Sequence, residues 1–158
     1  MIGRKREISP LLDDIARNLV DQLQKDARIS FAELGRRVGL SPSATAERLR
    51  NLEEAGVIRG YRADIDPAAL GLNVTAIIRM SCDGEQYRRV TAFVTTCEEI
   101  RDCYHVTGGD ALIMKAMVGS IEELEKLVIT LLRFGVPTTS VVLSTPLERH
   151  DYQIAGTS

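Results

Sequence analysis

The stretch that decides the fold is SFAELGRRVGLSPSATAERLRNLEEAGVIR, residues 30–59. Ser30 opens a capping box, and Gly39 stands where a left-handed residue would end a first helix. Ser41 is a suitable N-cap for a second helix, and Pro42 suits its first position because the missing N–H has no intrahelical partner there. The stretch therefore predicts two short helices joined by a tight turn, which is a helix-turn-helix.

The second helix has a polar outer face of the kind that enters a major groove. Thr45, Leu49 and Leu52 recur at helical spacing and predict its inner face. Short side chains near its beginning would let the backbone approach DNA, and arginines one turn later would reach bases or phosphates. We expect Arg48 to make such a contact. The predicted DNA-binding residues are Arg36, Arg37, Ser41, Ser43, Ala44, Glu47, Arg48 and Arg50. The alternative is an ordinary helical hairpin with a solvated face.

A longer segment resembles a known family. GRRVGLSPSATAERLRNLEEAGVIRGYRADIDP, residues 35–67, resembles the winged-helix head of the Lrp/AsnC (leucine-responsive, feast/famine) family of prokaryotic transcription regulators. The resemblance implies that the second helix is the recognition helix. It extends over nearly the whole chain, from Leu12 to about Glu148.

A support helix is predicted before the helix-turn-helix, and a strand after it. Ser9 and Pro10 look like the N-cap and first residue of the support helix. From Ile58 the apolar period changes to two, and the run ends at Pro67. By resemblance, this strand is a wing and hinge that pairs with the hinge of a neighbouring chain.

From Asn73 onward the pattern alternates between strands and helices in the order βαββαβ. This order predicts a ferredoxin-like domain, with an antiparallel sheet covered on one face by two helices. The middle strands, 100–107 and 111–118, form a predicted hairpin, and Val141 begins the predicted last strand after a loop at 135–138. The overall class is α+β. The predicted divisions are a DNA-binding head at 1–57, a wing, hinge and linker at 58–72, and a sensing and oligomerisation domain at 73–158.

The uncovered face of that sheet predicts self-association. Ile77, Ile113 and Met117 alternate onto it with few charges, and apolar surface of this kind is normally covered. The resemblance implies a dimer made through this face, with further assembly into octamers. A two-fold dimer would also present two heads to two half-sites on double-stranded DNA.

Charge is unevenly distributed along the chain. The formal net charge is −2, but residues 1–60 carry 11 basic and 9 acidic side chains, whereas residues 61–158 carry 9 and 13. A modestly basic head on an acidic body fits DNA binding through a small surface repeated in an oligomer. The apolar runs are too short for a membrane span, and the N-terminus lacks a signal-peptide core. We expect a cytoplasmic, nucleoid-associated protein.

The sequence offers little support for catalysis or for metal binding. Cys82, Cys97 and Cys103 form no Cys-x-x-Cys pair, and we expect them to be buried reduced thiols. Cys103 and His105 would share a strand face, but nothing else suggests a catalytic dyad. We therefore predict that the protein is not an enzyme and has neither a cofactor nor a metal site.

A glycine-rich turn suggests where a small molecule would bind. VTGGDALIMK, residues 106–115, resembles the family motif Val-Ser/Thr-Gly-Asp-aromatic-Asp, whose loops lie beside an amino-acid effector pocket between dimers. This chain departs from the motif, with Gly109, Asp110 and Ala111 where Asp, an aromatic residue and Asp are usual. The predicted effector-binding residues are Thr107, Gly108, Gly109, Asp110, Ala111, Thr138 and Thr139. The alternative is a plain tight turn without a ligand.

Together these patterns predict a sequence-specific transcription regulator of the Lrp/AsnC type that responds to an amino acid or a similar metabolite. One alternative is an architectural nucleoid protein with the same head, no effector and little sequence preference. Another is a metabolic enzyme with a small ferredoxin-like domain, against which the missing catalytic cluster counts.

Overall fold

The computed structural model describes residues 12–153, which divide into two compact units. Of the described residues, the first unit comprises 12–63 and 148–153, and the second comprises 64–147. Each unit has its own hydrophobic core. The predicted functional divisions after residues 57 and 72 remain a prediction.

The first unit is a bundle of three short helices. Its helices are α1 (Asp14–Lys25), α2 (Phe31–Val38) and α3 (Pro42–Glu54). Their buried side chains are Ala16, Leu19, Leu34, Thr45, Leu49 and Leu52. In the described part of the chain, α1 begins after the N-cap Asp13; Ser9 and Pro10, where we expected it to begin, lie outside the described residues.

The turn between α2 and α3 forms as the sequence predicts. Gly39 is left-handed, at φ 74°, and Ser41 Oγ accepts a hydrogen bond from the N–H of Ala44 at 3.2 Å. Gly35 adds a constraint that we did not anticipate. A Cβ on Gly35 would lie 2.6 Å from the carbonyl oxygen of Leu40 and 2.7 Å from Oγ1 of Thr45. Only glycine therefore lets α2 pack this closely against the turn and α3.

The strand predicted from Ile58 pairs with no strand of the described chain, and its pairing with a neighbouring chain stays a prediction. The N–H groups of Val57 and Ile58 both bond to the carbonyl of Leu52, at 2.9 and 3.1 Å, and so close the end of α3. Residues 59–66 have no regular structure, and Pro67–Leu70 form one 3₁₀ turn. Alternating side chains alone do not make a strand, because its backbone groups need a neighbouring strand as partner.

The second unit confirms the ferredoxin-like plan. Its elements are β1 (Val74–Ser81), α4 (Gly84–Val94), β2 (Ile100–His105), β3 (Leu112–Val118), α5 (Ile121–Leu131) and β4 (Val136–Val141). The sheet is antiparallel in the order β2-β3-β1-β4. Strand β4 begins at Val136 opposite Ser81, so the loop predicted at 135–138 and a strand beginning only at Val141 are wrong. Pairing with β1 along its length extends β4 through residues whose side chains show no strand pattern.

The two faces of the sheet differ in composition. The face under α4 and α5 is apolar and buried, and its strand residues are Ala76, Ile78, Met80, Leu112, Met114, Ala116 and Val118. On the other face, Ile113 lies opposite Arg79, and Ile77 lies opposite Lys115. Our expectation of few charges on that face is therefore wrong, because the register places two cations among its apolar side chains.

Gly35 provides a direct test of how α2 and α3 pack. We expect Gly35→Ala to destabilise the protein by about 1–3 kcal/mol, because its new methyl group would overlap backbone and side-chain oxygens. Gly84→Ala is the matched control, since a Cβ there meets nothing within 4 Å. Urea unfolding followed by circular dichroism measures the difference. Equal stability of the two variants would show that the turn relaxes at no cost.

Candidate nucleic-acid and effector sites

The outer face of α3 is formed by three exposed side chains. Ser43, Glu47 and Arg50 follow each other at spacings of four and three residues, and all are exposed. Arg50 has no hydrogen-bond or ion-pair partner in residues 12–153. Its five N–H donors are therefore available to an incoming acceptor.

The beginning of α3 is small and exposed. Ser41, Pro42 and Ser43 are all exposed, and the hydroxyls of the two serines lie 3.1 Å apart. The first turn of α3 carries no acidic side chain. The helix dipole favours an anion at this end, and no carboxylate of the first turn competes for it.

Arg36 and Arg37 are both held by Glu33. Arg36 donates from Nε and Nη2 to the carboxylate at 2.8 Å each, and Arg37 donates from Nε at 2.9 Å. Arg37 also donates to Gln22 on α1 at 2.9 Å. These bonds from Arg36 and Arg37 lower the pKa of Glu33 to about 2, so its charge is retained at any physiological pH. The two arginines therefore present a partly neutralised surface.

Arg48, which we expected to contact DNA, lies on the flank of α3 that faces the beginning of α1, and its DNA contact stays a prediction. Its Nη1 donates to both carboxylate oxygens of Asp13, at 2.8 and 2.6 Å. The bonds from Arg48 and from the N–H of Ala16 lower the pKa of Asp13, which therefore stays ionised. An open cleft of about 410 Å³ lies between the helices at this point. Its lining residues are Asp13, Ala16, Ala44, Glu47, Arg48, Asn51 and Leu52.

Tyr61 is a structural residue that sequence reasoning missed. Its hydroxyl donates to Glu53 at 2.8 Å, which fastens the chain after α3 to the last turn of that helix. Partial burial and the carboxylate of Glu53 raise the pKa of Tyr61 to about 12. The available sequence signal was the spacing of an acidic residue and a tyrosine across the end of α3.

The predicted effector loop connects β2 and β3 at one end of the sheet. Gly108 has φ 115°, a value that favours glycine, and the carbonyl of Gly109 accepts a hydrogen bond from Ser81 Oγ at 3.0 Å. Ala111 donates its N–H to the carbonyl of Met80 at 2.8 Å. Asp110 is half-buried, and its carboxylate has no partner in the described part of the chain. The loop is therefore anchored to β1 on both sides of that carboxylate.

Thr138 and Thr139 lie at the same end of the sheet, but in β4 and not in a loop. Thr138 pairs with Arg79 and Thr139 with Ile78, so the two threonines point to opposite faces. The hydroxyl of Thr139 is buried and has no hydrogen-bond partner in the described part of the chain. The two side chains therefore cannot both reach the same pocket on one side of the sheet.

The thiols are less buried than we expected. Cys82 and Cys97 are half-buried, and Cys103 is exposed, so the prediction of buried thiols is wrong for Cys103. Partial burial raises the pKa of all three thiols, which keeps them protonated and weakly nucleophilic. The described residues contain no cluster of three or more potential metal ligands. None of their helices is long and apolar enough to cross a membrane.

Two family models match successive parts of the chain. The model for winged helix-turn-helix DNA-binding matches residues 12–59. The model for the Lrp/AsnC ligand binding domain matches residues 75–152.

Individual relatives match over nearly their whole length. The transcriptional regulator LrpC of Bacillus subtilis is 33% identical over 133 residues, which cover 84% of this chain and 92% of that protein. The leucine-responsive regulatory protein of Salmonella typhimurium is 37% identical over 144 residues, covering 88% of each. A solved feast or famine regulatory protein of Mycobacterium tuberculosis, complexed with L-methionine, has a TM-score of 0.83 at 33% identity, covering 89% of this chain and 98% of that one. The chain therefore belongs to the Lrp/AsnC family of helix-turn-helix transcriptional regulators with a ligand-binding domain.

Proposed function

We propose that this regulator binds specific double-stranded DNA sequences through α3 and changes its activity when an amino acid binds near the β2–β3 loop. The observation that carries the proposal is the exposed outer face of α3, with small side chains at its beginning and, about two turns later, Arg50, which has no partner among residues 12–153. Such a face suits entry into a major groove. We place the protein in the cytoplasm at the nucleoid.

The proposed DNA surface contains all the residues predicted from the sequence, but with different roles. Ser41, Ser43 and Ala44 would let the start of α3 approach the groove, and Arg50 would contact base edges or phosphates. Arg36 and Arg37 would contact the DNA backbone only after giving up some of their hydrogen bonds to Glu33 in exchange for bonds to phosphate. An architectural protein with little sequence preference would use the same surface.

The proposed effector is an amino acid held at the loop of residues 107–111. A free amino acid carries an ammonium group, which needs an acceptor, and Asp110 supplies a half-buried carboxylate that has no partner among residues 12–153. Exposed glycines beside it leave backbone N–H groups accessible to the ligand carboxylate. The solved relative complexed with L-methionine supports this ligand class. Of the two predicted threonines, the proposal assigns Thr138 to this pocket, because it is exposed whereas Thr139 points to the opposite face of the sheet.

The proposed assembly is a dimer or a larger homo-oligomer made through the open face of the sheet. Ile77, Ile113 and Met117 are half-buried on this face, and Tyr104 beside Ile113 is exposed. Covering apolar surface stabilises an assembly by roughly 25 cal/mol per Å². Dimers would bring two heads to one DNA molecule and so raise its affinity.

The DNA-binding proposal predicts that Arg50→Ala weakens binding to a duplex enriched from a random library by the wild-type protein. We expect a loss of about tenfold, because an arginine contact to DNA is removed. Arg133→Ala, an exposed arginine of the second unit, is the control and should bind normally. Fluorescence anisotropy measures both variants.

The same titration distinguishes sequence-specific binding from architectural binding. A wild-type protein that binds the enriched duplex no better than unrelated DNA of equal length would favour the architectural alternative. Unchanged affinity of Arg50→Ala for the enriched duplex would remove α3 as the contact surface proposed above.

The effector proposal predicts that Asp110→Ala weakens binding of an amino acid by about 1.5–3 kcal/mol, as expected for the loss of a charge-assisted hydrogen bond. Calorimetry across the common amino acids, beginning with L-methionine, identifies the ligand. Glu98→Ala, an exposed carboxylate just before β2, should retain wild-type affinity. A ligand bound equally by Asp110→Ala and wild type would show that Asp110 is not the acceptor.

The assembly proposal predicts that Ile113→Asp separates the oligomer into smaller species, because a carboxylate would be buried at the interface without a partner. Ile129→Asp introduces the same charge on an exposed position of α5 and should leave assembly intact. Light scattering at low micromolar concentration gives the particle mass. A wild-type protein that is already monomeric would refute the proposal.

A further inference from the structure

One ion pair lies at the edge of the proposed DNA surface. Asp13 and Arg48 are 35 residues apart in sequence and belong to different helical elements of the first unit. A single guanidinium nitrogen, Nη1, donates to both carboxylate oxygens at 2.8 and 2.6 Å. The Nε and Nη2 groups of Arg48 have no partner among residues 12–153. The side chain is therefore held in place and still has donors to offer.

The pair is accessible to solvent and to a large ligand. The side chains of Arg48 and Asp13 are 38% and 48% exposed, and both line the open cleft that Ala44 and Glu47 of α3 also line. A DNA backbone that reaches Arg48 along this side of α3 therefore meets the negative charge of Asp13 as well. Because an arginine binds carboxylate and phosphate with the same fork of donors, the two acceptors compete for it.

We propose that Asp13 is a specificity-determining residue, which competes with DNA phosphates for Arg48 and so suppresses binding to unspecific DNA. The inference rests on the proposed DNA-binding function. Unspecific binding comes almost entirely from cations that neutralise phosphates, and a cation already neutralised by a carboxylate contributes little to it. Arg48 contributes only at a sequence where α3 fits closely enough for a DNA acceptor to replace Asp13.

The substitution Asp13→Asn removes the negative charge of this residue but keeps its role as a helix cap. Asp13 is the N-cap of α1 and accepts a hydrogen bond from the N–H of Ala16 at 2.8 Å. Asparagine caps helices as well as aspartate does, so the variant retains α1 and loses only the charge. Asp14→Asn is the matched control, because it makes the same charge change one residue away, at an exposed position with no ion pair to Arg48.

The experiment compares full-length wild type, Asp13→Asn and Asp14→Asn on a random-sequence duplex over a range of salt concentrations. We expect Asp13→Asn to bind this duplex about three- to tenfold more tightly than Asp14→Asn, with a salt dependence steeper by about one ion, because Arg48 becomes available to a phosphate. Affinity for the duplex enriched by wild type should rise less, so the ratio of specific to unspecific affinity falls. Equal affinities of Asp13→Asn and Asp14→Asn for random DNA would overturn the proposal.

Arg48→Ala tests the same competition from the other side. It should weaken binding to the enriched duplex by a larger factor than binding to random DNA, because Arg48 contacts DNA only in the specific complex. The gain from Asp13→Asn should vanish when Arg48 is alanine; a gain that persists would show that Asp13 repels DNA directly and would overturn the competition. A wild-type protein that binds no DNA would instead refute the proposed function.

Discussion

The close approach of α2 to the turn before α3 is the constraint on which the head depends. There is no room for a Cβ at residue 35, because oxygen atoms of Leu40 and Thr45 lie within 2.7 Å of where that atom would be. This contact lets Leu34, Leu49 and Leu52 share one core, and it sets the direction in which α3 leaves the turn. Because Thr45, Leu49 and Leu52 are buried in this core, the opposite face of α3 points to solvent. A small hydrophobic core thereby supports a surface made almost entirely of polar side chains.

Charge in the head is balanced within the protein before any ligand arrives. Arg36 and Arg37 share Glu33, and Arg48 binds Asp13, whereas Arg50 has no partner in the described residues. Exposed ion pairs of this kind contribute little to stability, so their effect is mainly on which cations a phosphate can reach. On the proposal made above, a head with paired arginines would bind unspecific DNA less strongly than its arginine count suggests, and the difference in affinity between DNA sequences would depend on close fit.

The second unit places the candidate effector loop through its strand pairing. The loop between β2 and β3 bonds back to Met80 and Ser81 at the end of β1, and the beginning of β4 pairs with the same two residues. The loop carrying Asp110 and the strand carrying Thr138 are therefore attached to one point of the sheet. A ligand at this end would contact strands that also form the open face of the sheet. Ligand binding could in this way change how the chains assemble through that face.

Local sequence signals were enough to predict where most helices lie and in which order the elements of the second unit follow each other. Caps at Ser30 and Ser41, the left-handed Gly39 and the apolar periods predicted the helices and the ferredoxin-like order, because each signal acts within a few residues. Strand pairing and the position of Arg48 depend instead on contacts between residues that are distant in sequence. The residues after Ile58 alternate like a strand but have no strand beside them, and β4 begins at Val136 because β1 offers it a partner. The position of Arg48 likewise depends on Asp13, a contact between distant residues that no local pattern records.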